Sequence, residues 1–179
     1  MKTIYTNGCN ISDYKPLFKH GDKYAVCISM MQIDDVEYAY RKGVRYEINR
    51  KPSGRCVYNY VVLDKLPSKS EIKNVIEECI NDMTSQRIET GFMYDECKIN
   101  LSKENQANYK RAYDLAMQTN GANLPFTIKC SKDSKMRYIT FENTVEFTKF
   151  FVAMDAHINK CLKECWEQKD SIDYSIYVL

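Results

Sequence analysis

Apolar residues follow two different rhythms along this chain, and the change of rhythm divides it. Over the first 65 or so residues they come in short clusters rich in Val, Ile and Tyr, the signature of strands broken by turns. Tyr24 to Met31 (YAVCISMM) is one apolar strand candidate. Val36 to Arg41 and Val44 to Asn49 are two more, split by Lys42-Gly43, which reads as a turn. Lys51-Pro52-Ser53-Gly54 gives a second turn signal, and Cys56 to Leu63 (CVYNYVVL) is the strongest strand of the set. Short turns between such strands predict an antiparallel β meander, with Met1 to Tyr5 as an added edge.

After Leu66-Pro67 the period lengthens. Ser68, followed three places later by Glu71, has the spacing of a capping box. Ile72, Val75, Ile76, Cys79, Ile80 and Met83 then recur on one helical face. Gly91 stands where that helix should stop. Phe92 to Tyr94 and Cys97 to Leu101 flank Asp95-Glu96 and predict a tight hairpin. Ser102 caps a second helix, which buries Tyr109, Ala112, Tyr113 and Ala116 and ends at Gly121. Leu124 to Cys130 and Met136 to Phe141 form a second hairpin around the polar turn Ser131 to Lys135. Asn143 with Glu146 opens a third helix, whose stripe runs Phe147, Phe150, Phe151, Met154, Ile158, Cys161, Leu162 and Cys165.

The expected fold class is therefore α+β: an N-terminal antiparallel β meander followed by an α-ββ-α-ββ-α unit with a small antiparallel sheet. The expected division is residues 1–66, a β-rich N-terminal region, and residues 67–179, an α+β unit. The end of the second part, Ile172 to Leu179 (IDYSIYVL), alternates Ile172, Tyr174, Ile176 and Val178 with polar neighbours and reads as strand-like. Such a segment adds to the chain's own N-terminal sheet or to a neighbour's edge. The order of the two hairpins within the small sheet is not legible in the pattern.

Composition changes this picture little. The 26 basic and 24 acidic residues nearly cancel, and a net charge of +2 without long like-charge runs leaves no electrostatic footprint for nucleic acid. Fourteen tyrosines against one tryptophan lean towards strands and protein contacts, because tyrosine combines a large apolar area with a polar tip. The opening MKTIYTNGCN has one lysine and no apolar segment, so no secretory leader is expected. No apolar run approaches the roughly 20 residues of a membrane span. The eight cysteines, Cys9, Cys27, Cys56, Cys79, Cys97, Cys130, Cys161 and Cys165, include no C-x-x-C pair. They read as small hydrophobes of a protein made in a reducing cytoplasm.

Candidate chemistry is sparse. His157, Cys161 and Cys165 share one side of the third helix at i, i+4 and i+8, but a structural zinc site needs a fourth ligand that no spacing supplies. Both cysteines fit the core stripe instead. His20 sits in the polar stretch Lys19 to Asp22, read as an exposed loop. Asp34-Asp35 and Glu77-Glu78 are sequence neighbours, which point in different directions and make poor acid–base pairs. Neither G-x-x-x-x-G-K-[ST] nor G-x-G-x-x-G occurs, so no phosphate cradle is signalled. The expectation is a non-enzyme with no cofactor, no metal and no small-molecule substrate.

Several of these segments resemble a known domain. Gly91-Phe92-x-Tyr94, Leu101-Ser102-x-Glu104-Asn105-Gln106, Tyr109-Lys110-x-Ala112-Tyr113-Asp114-Leu115-Ala116 and Gly121-Ala122-Asn123-Leu124-Pro125 carry the likeness. Tyr138-x-Thr140-Phe141, the third helix and Trp166-x-x-Lys169-Asp170-Ser171-Ile172 extend it. Together they resemble a domain of unknown function that recurs near the C-terminus of short proteins of tailed phages and prophages, over roughly residues 68 to 175. Met1 to Gly8 is similar to the start of versions from phages of Bacteroides-like hosts. The resemblance implies a setting among tail and tail-fibre genes. With that setting, the tyrosine-rich strands, the strand-like tail and the missing catalytic motifs lead to the expectation of a non-catalytic virion protein, a small tail, baseplate or fibre-associated subunit made in the host cytoplasm. The partners implied are other phage structural proteins and copies of itself, with no nucleic acid and no membrane. The alternatives are a tail-fibre assembly chaperone absent from the finished particle and, from another class, a small enzyme or host-directed effector with an unrecognised site. The candidate contact residues are tyrosines of the β region taken as exposed, Tyr38, Tyr40, Tyr58 and Tyr60, and the tail residues Tyr174, Ile176 and Val178.

Overall fold

A computed structural model describes residues 2–7, 15–41 and 44–179, and the side chains at 15–29 and 59–179. The chain folds as two units, Met1–Cys79 with Ile172–Leu179, and Ile80–Ser171. The class is α+β. The boundary falls within the first helix, whereas the change of rhythm in the sequence falls at residue 66.

The first unit holds strands β1 (Lys2–Asn7), β2 (Leu17–His20), β3 (Lys23–Arg41) and β4 (Val44–Leu63). They form one antiparallel sheet in the order β1-β4-β3-β2. The consecutive strands β2, β3 and β4 make an antiparallel meander, as expected in class although β2 was not among the expected strands, and β1 adds the edge beside β4. The strand count differs from expectation. Tyr24 to Arg41 lies in one 19-residue strand rather than two, and Lys51 to Gly54 lies inside the 20-residue β4 rather than in a turn. Pairing steps from Ile33↔Arg55 to Asp34↔Pro52, so Ser53 and Gly54 have no opposite number. A bulge absorbs what the sequence presents as a loop signal, because Pro and Gly suit bulges as well as turns. The Lys42-Gly43 turn lies outside the described residues.

The hairpin β2–β3 was not legible as one, since its first strand is four residues long and half polar. It places His20 at a strand end, where an exposed loop was expected. Leu17, Ala25, Val26, Cys27 and Tyr60 are buried in this unit.

The C-terminal segment corrects a second expectation. It is a 3₁₀ turn at Tyr174–Ile176, not a strand, and the Asp173 carboxylate accepts from the Ser175 backbone N–H at 2.9 Å. That local bond offers the backbone an alternative to strand pairing. The turn also breaks the alternation. Tyr177 is buried and donates its hydroxyl to the Cys27 carbonyl at 3.0 Å, while Ile176 and Val178 face outward.

Helix α1 (Lys69–Thr90) starts at the expected capping box. The Ser68 backbone N–H donates to Glu71 Oε2 at 2.8 Å, and the Glu71 N–H donates back to Ser68 Oγ at 3.2 Å. Ile72, Ile76, Ile80 and Thr84 form its buried line, one turn apart.

The second unit contains β5 (Phe92–Tyr94), β6 (Cys97–Ile99), α2 (Lys103–Gln118), β7 (Phe126–Lys132), β8 (Lys135–Phe141) and α3 (Thr144–Asp170). The two hairpins join as one antiparallel sheet, β5-β6-β7-β8. Both hairpin turns, Asp95-Glu96 and Asp133-Ser134, have two consecutive residues at φ of +48° to +61°. Two successive left-handed residues are what a tight two-residue hairpin requires. Ser102 Oγ accepts from Asn105 N–H, and Asn143 Oδ1 from Glu146 N–H, so both predicted helix caps form.

Inward residues of β6, β7 and β8 meet α2 and α3 in one core, Cys97, Ile99, Ile128, Cys130 and Phe141 against Tyr109, Ala112, Ala116, Phe147, Phe150 and Met154, with Phe92 and Tyr94 of β5 packed against it. Aromatic contacts centre it. Phe141 stacks on Phe147 with centroids 5.1 Å apart, and Tyr109 meets Phe150 edge-on at 5.5 Å. Fully burying each such ring contributes about 2–3 kcal/mol by area. The C-terminal half of α1 is tied to α3 by Arg87–Glu164 and by Lys169 to Asn81.

Candidate functional site

Because α2 and α3 cover one face of the β5–β8 sheet, strand alternation sends every second residue to the other face. Met93, Met136 and Tyr138 stand there at 63%, 61% and 68% exposure. Register places Lys98 opposite both Met93 and Ser131, and Lys129 opposite Tyr138. The result is an open face of large apolar side chains interleaved with lysines.

A groove of about 570 Å³ opens at the middle of this sheet. Its cause is the pairing of β6 with β7, which is confined to Lys98↔Ser131 among the described residues. Beyond that rung the chain leaves for α2: Leu101 N–H bonds the Glu89 carbonyl, and Asn105 folds back onto Asn100. The two strands diverge, and α2 forms the facing wall. Lys98, Lys129 and Arg111 line the groove with Asn108, Thr127 and the buried Tyr109. Among the described residues no carboxylate lines it. None of the three cations forms an ion pair among the described residues, whereas neighbouring Lys110 is held by Asp114 and Lys132 by Glu96. Burial raises the Tyr109 hydroxyl above its ordinary pKa, so it stays protonated at neutral pH.

The residues singled out in sequence disperse. The side chains of Tyr38, Tyr40 and Tyr58 lie outside those described. Tyr60 is a correction: it is 4% exposed, because the β2 residues Phe18 and His20 lie against its ring. Tyr174 is half-buried, and Ile176 and Val178 are exposed. Cys161 and Cys165 are buried in the α3 stripe, and the His157 ring stacks on Phe92 at 5.5 Å. Cys161 Sγ is 3.8 Å from His157 Nε2. Among the described residues no three His, Cys, Asp or Glu side chains are grouped to hold a metal ion. Burial, with Cys97 close by, pushes the Cys130 thiol up to about 11, which leaves little thiolate at neutral pH. Asp34 and Asp35 side chains lie outside those described, and Glu77 pairs with Lys73 at 3.8 Å.

Sequence reasoning missed the open face and the groove. The signal was present in β7, where Thr127, Lys129 and Ser131 alternate with Ile128 and Cys130. In β8 the open-face positions include the apolar Met136 and Tyr138, while Arg137 between them is exposed as well, so the strand shows no clean alternation.

These features define an α+β protein with a four-stranded sheet helix-covered on one face and open on the other. The chain belongs to the family described as a domain of unknown function (DUF4376), whose profile matches residues 71–178. The matched span lies close to that of the resemblance carried by Gly91 to Ile172. No curated protein and no solved structure matches the chain. Among the described residues no helix is long and apolar enough to cross a membrane.

Proposed function

We propose that this chain is a non-catalytic part of a tailed-phage particle, a small tail, baseplate or fibre-associated subunit that works through protein contacts. The observation that supports it most is the open sheet face. Three large apolar side chains there, Met93, Met136 and Tyr138, each more than half exposed, are of residue types enriched at interfaces. The phage setting rests on the likeness of the Gly91–Pro125 segments to the phage domain, and the Bacteroides-like host on Met1 to Gly8. Synthesis in the host cytoplasm and residence in the virion belong to the same reading.

Mass spectrometry of purified particles from the source genome tests it. The expected result is the chain at tens of copies per particle, with cryo-EM density contacting neighbouring tail proteins. Absence from the particle, with a monomeric purified chain, overturns it. Absence combined with capture of a fibre protein in the infected cell replaces it with the assembly-chaperone reading.

A further inference from the structure

We infer that the groove between β6 and β7 receives an extended acidic segment of another protein, which adds as a strand to the free edge of β7. The inference rests on the reading of this chain as a protein-binding part and names the chemistry of what it binds.

Backbone direction carries the first half of the argument. In a hairpin closed by a two-residue turn, the residues flanking the turn exchange hydrogen bonds, and every second residue after them does the same. The β7–β8 turn is closed by Lys132↔Lys135, so Lys132, Cys130, Ile128 and Phe126 spend their backbone groups on β8. The N–H and C=O of Ser131, Lys129 and Thr127 therefore point the other way. Ser131 meets β6 through Lys98. Thr127 and Lys129 face the groove instead, with no strand beside them among the described residues. Two residues of free edge accept an incoming strand, and the volume of about 570 Å³ falls within the range of ligand sites.

Charge decides the occupant. Among the described residues Lys98, Lys129 and Arg111 surround this edge without an acidic partner, and no carboxylate lines the groove. A segment bearing glutamate or aspartate at alternate positions meets all three cations while its backbone pairs with Thr127 and Lys129. A nucleic acid strand is the weaker fit. Its affinity depends on neutralising many phosphates in succession, and this groove offers three cations on a chain of net charge +2.

Fluorescence anisotropy with the full chain tests the inference. The probes are a short peptide alternating glutamate and threonine, the same peptide with lysine for glutamate, and an oligothymidylate. The acidic peptide is expected to bind at least about tenfold more tightly than the basic one, a difference typical of close charge pairing. Lys129→Glu, and separately Lys98→Glu with Arg111→Glu, should abolish that preference. These side chains are on the surface, and circular dichroism checks that the variants fold. N-methylating the peptide amides that face β7 should remove binding, while methylating the alternate amides should leave it. Equal binding of both peptides, indifference to charge reversal, or tighter binding of the oligothymidylate would overturn the proposal. The particle census is independent. A chain missing from particles that still binds the acidic peptide keeps the groove and loses the virion role, and the reverse result does the opposite.

Discussion

Gly91 shows how much one residue decides at the close of α1. Its φ is +84°, and a Cβ there would lie 1.6 Å from the Ile99 carbonyl oxygen. The backbone of β6 occupies the space a side chain needs, so relief requires the strand itself to move. Gly91→Ala is expected to cost of the order of 3 kcal/mol or more, combining left-handed strain with the clash. Urea denaturation measures it, and an unchanged midpoint would refute the contact. The opposite sign is expected at Ser134, which sits at φ +61° in the β7–β8 turn. Glycine takes that conformation without strain, so Ser134→Gly should stabilise by about 0.5–1 kcal/mol, read as a raised urea midpoint. Both positions were legible as punctuation in the sequence. Only the tertiary contact with Ile99 distinguishes the indispensable glycine from an ordinary stop.

Helices were the most legible elements. Capping spacings and the 3.6-residue stripe are local, and all three helices begin at the residues that cap them. The Ser68 amide and hydroxyl bond the Glu71 carboxylate and hold it below the usual glutamate range. A lowered folded-state pKa gives stability that is present above the ordinary glutamate value and is lost as pH falls through the lowered one. Glu71→Gln should therefore leave a shallower acid limb in thermal melts between neutral and acid pH, while the wild type loses stability more steeply. Strands were less legible. Lys51 to Gly54 carries the residues of a turn, yet pairing across to β3 makes it a bulge. Turn chemistry is local, but whether a strand continues through it depends on a partner strand.

At the scale of the molecule, the C-terminal segment is a long-range element rather than an appendage of the α+β unit. Tyr177 reaches back to Cys27, 150 positions away in sequence, and burial pushes its hydroxyl up to about 12. Tyr177→Phe removes that bond, with an expected loss of about 1 kcal/mol at neutral pH. The pH dependence has a definite sign. A folded-state pKa above the ordinary tyrosine value of 10.0 gives stability that is complete below that value and is lost as pH rises towards about 12. Alkaline denaturation should thus be steeper for the wild type than for Tyr177→Phe, and identical slopes would show that Tyr177 does not titrate from a buried site. The open sheet face belongs to this scale too, since it exists only because α2 and α3 both pack on the same side.

The sequence by itself determined the α+β class and the run of helices and hairpins from Ser68 to Asp170, with the caps and turns of that run. Each depends on residues within a few positions of one another, where spacing and backbone preference act directly. It also carried the family likeness, because that resides in the same local motifs. The tertiary structure alone decided the order β5-β6-β7-β8, the bulge in β4, the burial of Tyr60 and Tyr177, and the groove lined by Lys98, Arg111 and Lys129. These join residues far apart along the chain. Which strand lies beside which is set by the free energy of the assembled core, and no local pattern encodes that choice.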